Sequence, residues 1–159
     1  MDEDFTPLEQ AAWGGLLGMH GRITRAIDAD LQASSGITHV EFEVLLRLSW
    51  AVERRMRIQD LAARSVLTRS GMSRAVERLE REGFVTRETA EEDRRGAYAV
   101  LTKVGAARLR ATLRTHVAFV RHHFLGAFSQ LELNQMAEFW QRVEKRSPGK
   151  MLANRIDSV

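Results

Sequence analysis

No cysteine occurs in the 159 residues, which excludes a disulfide framework, a thiolate zinc site, a cysteine nucleophile and a cysteine peroxide sensor together. Any redox response would fall to the six methionines. Proline is almost absent, with only Pro7 and Pro148, so most of the chain is open to long helices. Long apolar runs are missing too. No stretch has the length of a membrane span and no Lys/Arg-led apolar segment resembles a signal peptide, which predicts a soluble, cytoplasmic protein with no membrane partner. Catalytic signatures are equally lacking: there is no GxSxG, P-loop, HExxH or GxGxxG, so neither an enzyme, a catalytic residue nor a cofactor is expected. His116, His122 and His123 fall on one predicted helix, with His20 and His39 elsewhere. No carboxylate or cysteine stands at ligand spacing beside them, so they read as polar or interface histidines and no metal is expected.

What is present suits one soluble domain spanning residues 1–159, with 44% apolar and 28% charged residues. Its charge is unevenly placed. Residues 1–53 hold three basic and nine acidic side chains, residues 54–95 eleven and eight, and residues 96–159 ten and four. Lys103, Lys145 and Lys150 are the only lysines, leaving 21 arginines, the side chain better suited to bidentate phosphate and guanine contacts. A GC-rich genome gives the same bias with no functional meaning.

Helix signals come in order along the chain. Thr6-Pro7-Leu8-Glu9 is a capping box with Pro at the first helical position, opening a helix to about Ala33 with the apolar stripe Ala12, Leu16, Met19, Ile23, Ala26 and Ile27. Gly14, Gly18 and Gly21 share the opposite face, which predicts either a close helix neighbour there or a bent segment. Thr38-His39-Val40-Glu41 is a second box, opening a helix to Trp50. Glu53 to Arg57 reads as a turn into an edge strand, and Ile58 to Ser65 as a short helix. Thr68 then caps a helix to Glu82, which Gly83 stops, and Val85 to Leu101 reads as a hairpin around a charged tip. Thr102 caps a long helix with the stripe Leu109, Leu113, Val117, Val120 and Phe124. A third box, Ser129 to Glu132, opens a last helix whose final turn is basic, and residues 147–159 read as a loose tail.

This order predicts a mainly α fold with a small β-hairpin wing: a winged helix-turn-helix lobe over about 38–101, plus terminal dimerisation helices over 6–33 and 102–146. The terminal stripes exceed what the lobe can cover, so they are expected to bury one another across a two-fold axis in a homodimer. In such a lobe the Thr68–Glu82 helix enters the major groove of double-stranded DNA by its N-terminus. There it presents Arg69, Ser70, Gly71, Ser73 and Arg74. Arg74 is the candidate for a bidentate guanine contact, Ser70 and Ser73 for base edges or phosphates, and Arg69 and Arg78 for phosphates, while Gly71 allows close backbone approach. Glu77 can accept from a cytosine amine or pair along the helix with Arg74 or Arg81. In the hairpin tip Asp93 can hold an arginine extended, so that Arg94 or Arg95 enters the minor groove.

With these residues in view the chain resembles the MarR family of bacterial transcriptional regulators over roughly residues 8–146. The resemblance lies in Ser70-Gly71-Met72-Ser73-Arg74 with Arg78-Leu79-Glu80 and Gly83-Phe84-Val85, and in the wing Asp93-Arg94-Arg95-Gly96 with Leu101-Thr102-Lys103-Val104-Gly105. It implies an obligate homodimer with intertwined terminal helices, a palindromic operator, and loss of DNA affinity when a small molecule, often an aromatic acid, enters a crevice between the dimerisation helices and the lobe. By the same resemblance Ser70, Ser73 and Arg74 match base-contacting positions and Arg95 the wing-tip arginine. The glycine-rich first helix departs from the family pattern. Trp13, His20, Trp50 and His116 are the candidates for lining the crevice, although tryptophans at helical spacing more often belong to a core or a dimer interface. The competing reading of the whole chain is a winged-helix module that binds protein and has lost DNA recognition.

Overall fold

A computed structural model describes residues 4–65, 67–89 and 96–146. Six helices and three short strands follow one another as α1 (Pro7–Ser35), α2 (His39–Trp50), β1 (Arg55–Arg57), α3 (Ile58–Ala63), α4 (Arg69–Arg81), β2 (Val85–Thr89), β3 (Ala97–Leu101), α5 (Lys103–His123) and α6 (Gln130–Arg146). The predicted starts are the observed ones because the caps form. In α1 the Thr6 hydroxyl accepts from the Glu9 amide while Glu9 returns to the Thr6 amide, and α2 repeats this with Thr38 and Glu41. Thr68 and Thr102 accept from the amides of Gly71 and Gly105, fixing where α4 and α5 begin. Helix α3 stops at Ala63 rather than Ser65: the Ser65 amide and hydroxyl both bond back to the Ala62 carbonyl, closing a turn in place of another helical residue.

The strands form one antiparallel sheet in the order β1-β3-β2, so β3 is central and β1 is the expected edge strand. Arg55 pairs with Val100 and Arg57 with Tyr98, and Val85 pairs with Leu101 across the hairpin. The turn into β1 runs through Glu53 and Arg54 at φ 54° and 55°, both left-handed without being glycine. Each such residue costs about 1 kcal/mol. Gly83, at φ 72°, is the residue type that the same backbone region favours, and it ends α4 where predicted.

The core gathers under the sheet. Leu31 of α1, Phe42, Leu45 and Leu48 of α2, Leu61 of α3, Met72, Val76 and Leu79 of α4, and Leu101 and Leu109 from the sheet and α5 are buried together. Gly105 is forced by this packing. A Cβ there would stand 2.0 Å from the Phe84 carbonyl oxygen and 2.8 Å from its carbon, so the first turn of α5 lies directly on the backbone that leaves α4.

The terminal helices are otherwise. Of the stripe predicted for α1 only Ile27 is buried, joined by Leu31, while Leu16 and Met19 are exposed. Helix α6 buries none of its residues in the protomer, and Leu131, Phe139, Trp140 and Val143 face outward. Trp13, Trp50 and Trp140, at 51%, 40% and 48% exposure, are not protomer core. Among the described residues nothing beyond the local backbone of α1 comes within 4 Å of a Cβ built on Gly14 or Gly15, so no described helix approaches the glycine face there. On α5, Ala106 and Thr112 are buried beside Leu109, outside the expected stripe, and among the described residues the Thr112 hydroxyl has no hydrogen-bond partner. Among the described residues no helix is long and apolar enough to cross a membrane.

Candidate nucleic-acid interface

Arg69, Ser70, Ser73 and Arg74 are brought together on the exposed first turns of α4, while Met72, Val76 and Leu79 bury the reverse side. The amphipathic pattern thus becomes a helix lying on the core with a hydroxyl and guanidinium face outward. Among the described residues neither Arg69 nor Arg74 has an ion-pair partner, so their five-donor forks are open. Ser70 is partly engaged, its hydroxyl 3.1 Å from that of Thr68. At Gly71 an added Cβ would meet Thr68 Oγ1 at 3.3 Å and Leu67 Cβ at 3.7 Å, so the small residue serves the chain's own turn at that point.

Two arginines hold the helix rather than projecting from it. Arg78 Nε lies 2.9 Å from Glu41 Oε1, a carboxylate buried on α2. Arg87 of β2 donates to the Ser73 carbonyl at 3.0 Å and pairs with Glu80 at 3.1 Å, tying the wing to α4. The intrahelical pair expected for Glu77 does not form: among the described residues Glu77 has no ion pair, and the acids that are paired on or against α4 are Glu80 and Glu41.

Between the start of α3, the start of α4 and the wing lies a cleft of about 260 Å³ lined by Arg57, Gln59, Arg69, Ser73 and Arg87 among others. Sequence reasoning missed Arg57 and Arg87. Arg87 had a signal in the alternation of β2, where Val85 is buried and residue 87 follows it by two, but only the fold shows that it reaches α4. Tyr98, the one tyrosine, orders the outer face of the sheet, with Arg55 stacked on its ring at 4.2 Å and Arg57 Nε donating to its hydroxyl at 3.1 Å. Asp93, Arg94 and Arg95 lie outside the described residues.

The residues proposed for a ligand crevice are dispersed in exposure. Trp13 and His20 are exposed on α1, Trp50 ends α2, and His116 is half-buried on α5 with its ring 4.7 Å from that of Phe42. Burial, then the positive field of His39, hold His116 below the ordinary histidine range, with Asp30 opposing. A wide cleft between α1 and α2, of about 950 Å³, is lined by Thr24, Arg25, Asp28, Gln32 and His39, and none of the four candidates lines it.

The MarR family model matches residues 37–96, the span from α2 to the wing. The chain is 33% identical to AbsC, a MarR-family transcriptional regulator of Streptomyces coelicolor, with a TM-score of 0.79 over 91% of this chain and 97% of that one. It is 32% identical to Sco3205 of the same organism, a MarR-family regulator crystallised in complex with DNA, with a TM-score of 0.82 and 94% of both chains covered. It is also 27% identical to the transcriptional repressor YetL of Bacillus subtilis, over 70% of this chain and 68% of the relative.

Proposed function

Because this chain belongs to the MarR family of transcriptional regulators, we propose that it acts as a homodimeric repressor that binds a palindromic operator and is released by a small-molecule effector. The observation that carries the DNA-reading part is the exposed Arg69/Ser70/Ser73/Arg74 face at the capped end of α4, whose two arginines have no ion pair among the described residues while Arg78 and Arg87 are tied down. In this reading Arg74 takes a guanine, Ser70 and Ser73 take base edges or phosphates, and Arg69 takes phosphate. At the wing Asp93 positions Arg94 or Arg95 for the minor groove. Dimerisation is supported by the apolar faces of α1 and α6, which a second copy would cover, spacing the two α4 helices by about one DNA turn, ~34 Å. The effector, an aromatic acid, would enter beside Trp13, His20, Trp50 and His116, between the dimer helices and the lobe.

Selection of bound duplexes from a random pool, followed by gel shift at fixed salt, tests the reading. Arg74→Ala should lose about 1–3 kcal/mol and relax preference at one base pair of each half-site. An Arg74→Ala dimer with unchanged affinity and specificity defeats it. A protein-binding module without DNA recognition would recover no sequence and give almost no dependence of duplex binding on salt, where a DNA binder gives a steep negative slope.

A further inference from the structure

We propose that Glu41 is a positioning residue for DNA recognition, setting the rotation of α4 on the lobe through Arg78. The proposal rests on the DNA-binding reading above. Glu41 is only 3% exposed, so it cannot touch DNA itself. Its Oε2 accepts the Thr38 amide at 2.8 Å, and the Thr38 hydroxyl accepts the Glu41 amide at 3.2 Å, so the first turn of its own helix fixes the carboxylate. The other oxygen, Oε1, is aimed at Arg78 Nε, 2.9 Å away on α4.

The other capping boxes of the chain show that this second bond is not part of capping. Glu9 and Glu132 are exposed, and each gives one oxygen to the amide and hydroxyl of its own cap residue and, among the described residues, pairs with no other helix. A cap needs only an acceptor, which glutamine also supplies. Arg78 is about half exposed and its partner Glu41 is buried, so the ion pair is anchored from the α2 side and ties the placement of α4 to that helix.

The placement is what recognition needs. Arg78 stands one turn beyond Arg74, on the same side of α4. Glu80, about 200° further round the helix, is held by Arg87 of β2, which also takes the Ser73 carbonyl. The helix is therefore gripped on opposite flanks, by α2 through Arg78 and by the wing through Glu80. Releasing one flank leaves α4 free to roll, and roll moves Ser70 and Arg74 off their base pairs while leaving the positive surface in place.

The test compares Glu41→Gln, which keeps the cap acceptor, with Arg78→Met and with the double variant. Each is assayed on the duplex selected by the unmodified protein and on a scrambled duplex. The ratio of the two affinities should fall about tenfold in either single variant, and the double should fall no further. A ratio unchanged in Glu41→Gln, or Arg78→Met weakening both duplexes equally, overturns the proposal and leaves Arg78 as a phosphate contact. Should Glu41→Gln fail to fold, Arg78→Met decides alone by the same criterion. If the unmodified protein selects no sequence, the DNA-binding reading fails first.

Discussion

Replacing Gly105 by alanine adds one carbon at the most crowded point of the backbone. That carbon would lie 2.0 Å from the Phe84 oxygen and 2.9 Å from Leu101 Cδ1, so the contact has to open by about 1 Å. The oxygen cannot retreat freely, because the Thr102 amide donates to it at 3.1 Å and the one proton of the Thr102 hydroxyl is shared between it, at 3.1 Å, and the Gly83 carbonyl, at 2.8 Å. Straining or losing two hydrogen bonds costs about 2 kcal/mol, and forced repacking adds about 1–3 kcal/mol. Against this, the helix gains at most about 1 kcal/mol from alanine. The expected net loss is about 3 kcal/mol, or a fall in Tm of roughly 6–12 °C for a chain of this size. Urea and thermal unfolding followed by circular dichroism at one fixed protein concentration measure it, since dimerisation would make Tm depend on concentration. An alanine variant within about 0.5 kcal/mol of the unmodified protein refutes the reasoning, because the backbone would then be yielding where the hydrogen bonds say it is held.

Arg54→Gly should stabilise by about 0.5 kcal/mol in urea unfolding, since the left-handed turn before β1 then carries no side-chain clash and the greater freedom of unfolded glycine offsets only part of the gain. His116, held below its ordinary value chiefly by burial, is kept neutral by the fold. Its contribution is present above about pH 6.5 and is lost as the pH falls through its folded value, because the unfolded chain then binds the proton more readily. Urea unfolding of His116→Gln at pH 7.5 and at pH 5 should therefore show a smaller loss on acidification than the unmodified protein, and equal losses would remove His116 from the account.

Much of the fold was legible because its boundaries are written locally. Thr6 with Glu9, Thr38 with Glu41, Thr68, Gly83 and Thr102 each satisfy backbone groups within a few residues of themselves, so their chemistry names the helix ends without reference to the rest of the chain. The open face of α4 was legible for the same reason, since apolar spacing fixes which side is buried. What could not be read is what depends on distant partners. The second duty of Glu41, the reach of Arg87 to Ser73 and Glu80, and the failure of Glu77 to pair all depend on which elements the fold places beside α4. On α6, Leu133, Met136, Trp140 and Val143 stand at helical spacing, and of these Trp140 and Val143 are exposed while Leu133 and Met136 are half-buried; the exposure of Leu16 and Met19 on α1 shows how little of that helix the lobe covers.

The strand order carries a consequence for how the molecule is made. Because β3 lies between β1 and β2, the edge strand Arg55–Arg57 has no neighbour until Ala97–Leu101 exists. During synthesis from the N-terminus the helices that frame the lobe emerge first, and the sheet that seals it waits for its central member. The lobe should therefore gain protease resistance in a single late step, and arrested chains ending before residue 97 should be cut in the β1 region while chains that extend past α5 are protected.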